Sequence, residues 1–341
     1  MNLPLLTRTL RKKALITLSL LVLGGFVPIT PQVVLAQAPA SSSQNSLSQE
    51  DKKRLDDLLK QGRDLVEAGN LAQAITVYQE AATLQPDNAR IYSAIGFIQA
   101  RQNNFEAAAQ AYQQAISLDA NNGDFYYALA FTKANLGDNV GAAEAYQQAV
   151  THSPNNTEAY IGWGVVLSRL GDYEGAINAY EHVLQSRPND AQMYEFIGAA
   201  YIQEQKYQEA LDSLQKAAQL NPRRGSVQLN LGVALLNLGD TEAGMTALQR
   251  AAQLEPRNGV VFLQIGDIYR SQGNVDQALT QYERAIAVQP NLTEAHVALG
   301  EIYLEKQDYL RAIVTYRELL ELSPDNADAY YHLGQALAGR D

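Results

Sequence analysis

The chain has 341 residues, 46% hydrophobic and 18% charged, a globular composition that excludes a disordered polymer. Its net charge is −11, and four basic residues (Arg8, Arg11, Lys12, Lys13) crowd the N-terminus, so the remainder is more acidic still. Such a surface repels phosphate backbones and excludes nucleic acid as a natural partner, while the lack of cysteine excludes disulfides, thiolate metal sites and cysteine nucleophiles.

After that basic start comes an apolar run, Ala14 to Val27, then the small residues around Val34-Leu35-Ala36. These are the three parts of a secretory signal, expected to cover residues 1–36. An uncleaved membrane anchor is the alternative, although Gly24, Gly25, Pro28 and Pro31 interrupt the run well short of the ~20 apolar residues that a spanning helix needs. Export to a periplasm, an equivalent lumen or the outside follows, with membrane contact only if that segment is retained. Residues 37–47, small and polar, read as a flexible tether. Ser48 followed by Asp51 has the form of a capping box and places the first helix start near Ser48.

From there the prolines set a rhythm. Pro86, Pro154, Pro188, Pro222, Pro256, Pro290 and Pro324 share one lattice of spacing 34, vacant only at Ala120. Ending each repeat two residues after that place gives 55–88, 89–122, 123–156, 157–190, 191–224, 225–258, 259–292 and 293–326, with a capping helix at 327–341. Place 8 of each repeat is glycine or alanine throughout, from Gly62 to Gly334. Place 20 is alanine except at Gly244, and place 24 is tyrosine except at Leu214 and Leu248.

Repeat 157–190 shows why. Tyr160, Trp163, Gly164 and Leu167 form one helical stripe; Ala176, Tyr180 and Val183 form a second. Between them Gly171 ends one helix and Asp172 caps the next. Gly164 and Ala176 let the two helices approach, Tyr180 fills the space beside them, and Pro188 closes the unit. One such hairpin cannot bury its apolar face alone, whereas stacked hairpins can, and the result is an all-α solenoid. The vacancy at Ala120 is expected to loosen one junction, and Lys206 stands where a capping Asn or Asp is usual. The terminal helix is expected to cover the last repeat with Tyr330, Leu333, Gly334 and Leu337 while Asp328, His332, Gln335 and Arg340 face water.

This pattern resembles the tetratricopeptide repeat family over residues 55–341. The resemblance implies a right-handed α-solenoid whose concave face, lined by the first helix of each repeat at places 2, 5, 9, 12 and 13, receives a protein or peptide segment. Carried over residue by residue, the lining includes Phe97, Arg101, Tyr127, Phe131, Asn135, Ile161, Val165 and Arg169. Further along it includes Leu229, Val233, Asn237, Leu263, Asp267, Arg270, Glu294, Val297, Glu301 and Glu305. The lysine at place 5 that members binding acidic chaperone tails use is missing here, where Tyr127, Ile161, Glu195 and Leu229 stand. An apolar and aromatic strip is expected in the N-terminal half, with Phe97, Tyr127 and Phe131 as anchors unless neighbouring helices or the tether cover them. The C-terminal end is expected to be acidic.

No catalytic constellation emerges. His152, His182, His296 and His332 lie at no metal-ligand spacing and are expected at the surface or in the groove. Neither a Gly-x-Ser-x-Gly elbow nor a phosphate loop occurs. Asn155-Asn156-Thr157 and Asn291-Leu292-Thr293 match glycosylation sequons but fall on inter-repeat turns, where Asn and Thr serve as caps. The expectation is a non-catalytic protein-binding scaffold without cofactor or metal. A self-associating or membrane-tethered structural scaffold is the alternative.

Overall fold

The computed structural model describes residues 47–340. The secretory segment (1–36) and all but the last residue of the tether lie outside them. Leu47, assigned to the tether, is half-buried and packs on the first apolar core.

Among the described residues the regular structure is seventeen α-helices, falling into two compact units, one ending at Asn189 and one beginning at Asp190. The first holds α1 (Gln49–Glu67), α2 (Leu71–Leu84), α3 (Ala89–Arg101), α4 (Phe105–Leu118), α5 (Gly123–Asn135), α6 (Asn139–His152), α7 (Thr157–Leu170) and α8 (Tyr173–Ser186). In the second are α9 (Ala191–Gln203), α10 (Tyr207–Leu220), α11 (Gly225–Leu238), α12 (Thr241–Leu254), α13 (Gly259–Ser271), α14 (Val275–Val288), α15 (Thr293–Glu305), α16 (Tyr309–Leu322) and α17 (Ala327–Arg340). Each expected repeat is one helix pair, and α17 is unpaired. Ser48 caps α1 by accepting from the Asp51 amide at 3.0 Å.

The small-and-large contact within each pair is direct. A Cβ added at Gly62 would lie 2.8 Å from the Tyr78 ring, one at Gly266 2.5 Å from Tyr282, and one at Gly300 2.7 Å from Tyr316. Ala74, Ala108, Ala142, Ala176, Ala210, Ala278 and Ala312 at place 20 are fully buried, as are Tyr112, Tyr180, Tyr282 and Tyr316 at place 24. Fully burying a side chain of that size contributes roughly 1.5–3 kcal/mol, so the repeated contact holds each hairpin closed.

Between the helices of every pair, place 15 adopts a left-handed backbone. Five units use glycine there, as at Gly171 (φ 82°), but Asn103, Gln205 and Gln307 take the same conformation at φ 61°, 62° and 58°. A residue with a Cβ loses about 1–2 kcal/mol in that geometry. The turn is therefore imposed by the packed helices on either side. Capping at the next place varies too. Asp138, Asp172, Asp240 and Asp308 accept from backbone amides three residues on, whereas Asn70, Asn104, Asn274 and Lys206 make no such bond. Lys206 departs from the usual residue without losing a bond that its asparagine counterparts keep. Its ammonium pairs with Glu204 at 2.9 Å and lies over the Tyr201 ring.

At the vacant proline position the chain turns as it does elsewhere. Asp119 is extended (φ −144°, ψ 88°), its side chain accepts from the Asn121 amide at 3.3 Å, and α5 starts on schedule.

The terminal helix is corrected in detail. Ala329 and Ala336 are its buried residues; Leu333 and Leu337 are half-buried against the last core, and His332 stacks on Tyr316. Tyr330 is exposed, and nothing lies within 4 Å of a Cβ at Gly334. Both were expected to cover the eighth repeat. Instead they take positions that face the second helix in the other repeats, and no helix follows α17 among the described residues.

Two stability outcomes follow. Ala176→Leu forces a larger side chain into a fully buried contact and should cost about 1–3 kcal/mol in urea unfolding; an unchanged midpoint would contradict the assigned helix contact. Ala120→Pro fits an amide that donates to no backbone carbonyl behind an extended residue, and should raise stability by about 0.4–1 kcal/mol.

Candidate functional site

The carried-over lining residues project from the first helix of each pair. In the unit ending at Asn189, α3 offers Phe97, half-buried, and Arg101, exposed, with the guanidinium 5.8 Å from the ring centroid. From α5 comes Phe131, half-buried, whose carbonyl accepts from the Asn135 side chain at 2.8 Å. Helix α7 offers Val165, half-buried, and Arg169, exposed.

Tyr127 and Ile161 do not join this surface; each is only 7% exposed. Tyr127 belongs to the core of its unit, its ring 6.1 Å from that of Tyr146, and burial first, then the Tyr146 neighbour, pushes its hydroxyl well above the ordinary range. Place 5 turns toward the core more than the resemblance implied. The accessible apolar strip is thus narrower than expected: Phe97, Phe131 and Val165, edged by Arg101, Asn135 and Arg169.

The unit from Asp190 needs the same correction. Leu229 is 2% exposed, and Val233 and Leu263 are buried with it. Asn237 is half-buried and donates to the Val233 carbonyl at 2.9 Å. What reaches solvent is charged. Asp267 of α13 accepts from the Tyr282 hydroxyl at 2.7 Å. Arg270, one turn further, crosses to α15 and donates to Glu301 at 2.6 Å and Glu305 at 2.5 Å. Partial burial pushes the Asp267 carboxyl above the usual carboxylate range, against the pull of Tyr282 and Arg270, while the Glu301 charge adds to the rise. Its edge stays open to solvent, so this desolvation is incomplete. Burial disfavours a charged Arg270, but the bonds to Glu301 and Glu305 outweigh it and hold the guanidinium firmly protonated. Glu294 is exposed and accepts from the Thr293 hydroxyl at 3.1 Å, and Val297 is half-buried beside it.

Several features were not foreseen. Glu195, at place 5 of α9, is a buried carboxylate paired with Arg224. Burial raises its carboxyl above the ordinary range, opposed by Ser226 and by the Arg224 charge. Asn230 and Gln264 are buried amides whose side chains meet no hydrogen-bond partner. His296 is buried as well, contrary to the surface or groove position expected, and its Nε2 lies 2.9 Å from the Pro290 carbonyl. Of the two sequons, Asn156 does cap α7, by accepting from the Ala159 amide at 3.0 Å; the other segment differs, because Leu292 is the capping residue of α15 and has no side-chain oxygen to offer. Among the described residues no three His, Asp or Glu converge as a metal set, and no helix is long and apolar enough to cross a membrane.

Comparison with known proteins matches most of the described chain to repeat families. A family described as TPR repeat matches residues 62–103, 266–307 and 300–339. One described as Tetratricopeptide repeat matches 201–262. The Cytochrome c-type biogenesis protein H TPR domain matches 83–194. No curated protein matches. Among solved structures, a tetratricopeptide repeat protein from Parabacteroides merdae is 18% identical with a TM-score of 0.58, over 74% of this chain and 99% of that one. The C-terminal part of a TPR repeat-containing protein from Cytophaga hutchinsonii is 17% identical with a TM-score of 0.51, over 80% of this chain and 98% of that one. A chain of the APC/C hetero-tetramer Cut9-Hcn1 is 20% identical with a TM-score of 0.53, over 86% and 57%. At these identities the likeness shows the helical-repeat fold.

Glu195 gives a pH test. Because its folded value is raised, its favourable contribution is complete below the unfolded carboxylate pKa and is lost as pH rises through the folded value. Glu195→Gln removes that loss. The urea midpoint of the variant relative to the parent should therefore move in the variant's favour between pH 4 and pH 8. The opposite trend would mean that Arg224 stabilises the ionised form enough to reverse the shift.

Proposed function

The chain belongs to the tetratricopeptide repeat family, and from that premise we propose that it is an exported, non-catalytic scaffold holding a segment of another protein against its first helices. The observation that carries this reading is the strip of Phe97, Phe131 and Val165. These apolar side chains sit at the lining places of consecutive first helices, part-exposed, between cationic and amide groups that would remain hydrated around a docked segment. Aromatic anchors within a polar rim are the usual makings of a protein-binding surface.

Export is supported by the basic, apolar and small-residue order of residues 1–36. A role in assembling an envelope or membrane complex draws support from the match to a domain described for a cytochrome c-type biogenesis protein. Self-association is the second reading, favoured by Leu310 and Val314 on α16, 65% and 54% exposed, and by the exposed Tyr330 and Tyr331 on α17.

Crosslinking in the native cell, followed by capture of the mature chain, tests the first reading. The captured chain should begin at Gln37, and Phe97→Ala with Phe131→Ala should lose at least tenfold in crosslinked partner at unchanged helicity. Partners retained in full by that variant would remove the strip from the function. A particle mass that rises with micromolar concentration, and falls back with Leu310→Ser and Val314→Ser, would favour the second.

A further inference from the structure

The acidic surface of the unit from Asp190 contains more acceptors than its own cation uses. Arg270 engages one oxygen each of Glu301 and Glu305, while Asp267 receives only the Tyr282 hydroxyl. Behind these carboxylates lies Tyr316, fully buried, its ring against Gly300 beside Glu301 and its hydroxyl without a hydrogen-bond partner.

The repeat shows where that hydroxyl is aimed. Tyr282 and Tyr316 occupy the same place in consecutive units, and Tyr282 donates to the residue fifteen positions earlier, Asp267. Fifteen positions before Tyr316 stands Glu301. Arg270 takes one oxygen of that carboxylate, and the Tyr316 hydroxyl makes no bond to it. Its electrostatic neighbours are Glu301, Arg270 and Glu305. Three carboxylates and an idle hydroxyl thus lie near one guanidinium, which bonds to two of the carboxylates. Arg270 demonstrates that the arrangement accepts a planar cation, since carboxylates from two turns of α15 grip it at once.

We propose that Asp267, Glu301, Glu305 and the Tyr316 hydroxyl form a seat for an arginine or lysine side chain of the held segment. This rests on the reading that first-helix faces hold a partner, and it assigns the chemistry of what this unit holds: a segment with a basic residue. Arg270 is then a resident competitor as well as a structural tie. Once Arg270 yields its place, the hydroxyl serves as an acceptor for the arriving N–H group. Charge complementarity supplies orientation and encounter rate, and the buried hydroxyl adds a distance-dependent contact that a diffuse negative surface lacks.

The test uses the full mature chain at 0.15 M salt with tyrosine rings labelled for NMR. The probes are a capped Ala-Arg-Ala-Ala-Arg-Ala peptide, its glutamine counterpart and spermidine. The arginine peptide should bind saturably and shift the Tyr316 signal. Glu301→Gln with Glu305→Gln should weaken it at least tenfold, whereas Glu242→Gln with Glu321→Gln, which changes net charge equally on exposed residues elsewhere, should leave it within twofold. Tyr316→Phe should weaken it several-fold, and Arg270→Gln should tighten it about tenfold by freeing two carboxylates. Equal losses in the two charge-matched pairs, weaker binding in Arg270→Gln, no saturation, or spermidine binding as tightly as the peptide would each overturn the seat. Such a failure, with native partners still lost on Phe97→Ala and Phe131→Ala, would leave the scaffold reading standing; partners retained by those variants would sink that reading whatever the peptide does.

Discussion

One contact governs the architecture: a residue without bulk at place 8 of a first helix against a large one at place 24 of the second. Helices pack at a separation set by the side chains between them, and a bare glycine lets the aromatic ring lie flat on the backbone. Gly62 with Tyr78 and Gly300 with Tyr316 show the limit, since even a methyl group would collide with the ring. Everything else in a unit follows from that separation. The left-handed turn residue is forced by it, including at Asn103, Gln205 and Gln307, where the side chain makes the turn unfavourable. Local preference yields there to the burial of a whole ring.

The same contact reaches into the next hairpin. A Cβ at Gly162 would collide with Tyr146 of the preceding unit, and His332 stacks on Tyr316 of its own predecessor. Place 6 of one unit therefore faces place 24 of the unit before. Where place 24 shrinks to Leu214 and Leu248, the following place 6 becomes Asn230 and Gln264. The freed volume is refilled, but by amides that find no partner. An unsatisfied buried polar group costs about 1–3 kcal/mol, so this unit trades stability for filled space, and its core is less uniform than that of the unit ending at Asn189.

How much of this is legible in residues alone depends on whether a feature repeats. The small residue recurs in all eight repeats, the proline in seven and the aromatic in six, and their helix pairs appear where the lattice puts them. Ser48 and Asp172 were readable as caps because their chemistry is local. Tyr127, Ile161 and Leu229 were misplaced because burial at place 5 depends on how deeply each first helix sinks between its neighbours, which a list of lining places does not encode. Glu195 was missed for a related reason: only contact with Arg224 and Ser226 makes that carboxylate a core group. The ties from Arg270 to Glu301 and Glu305 span more than thirty positions, and a charge pattern read along one chain has no means of pairing them. Gly334 looked like every other place-8 residue, yet among the described residues nothing lies within 4 Å of a Cβ there.

The core tyrosines connect these levels, because each stands fifteen residues after a lining place of its own repeat. Where that place is Asp267, the hydroxyl donates to it and core and surface are joined. Where it is Phe97, the Tyr112 hydroxyl is left buried and unpaired, and desolvation raises it far above the ordinary tyrosine range. In the repeat where it is Val165, the Tyr180 hydroxyl lies 3.5 Å from that of Ser168. Phe97 thus shares its repeat with an unsatisfied core hydroxyl, whereas Asp267 is anchored by the tyrosine of its own. A carboxylate at that place does not by itself satisfy the hydroxyl, since Tyr316 stays unpaired while Arg270 holds Glu301. Surface chemistry in this solenoid is therefore constrained by the same ring that closes each hairpin.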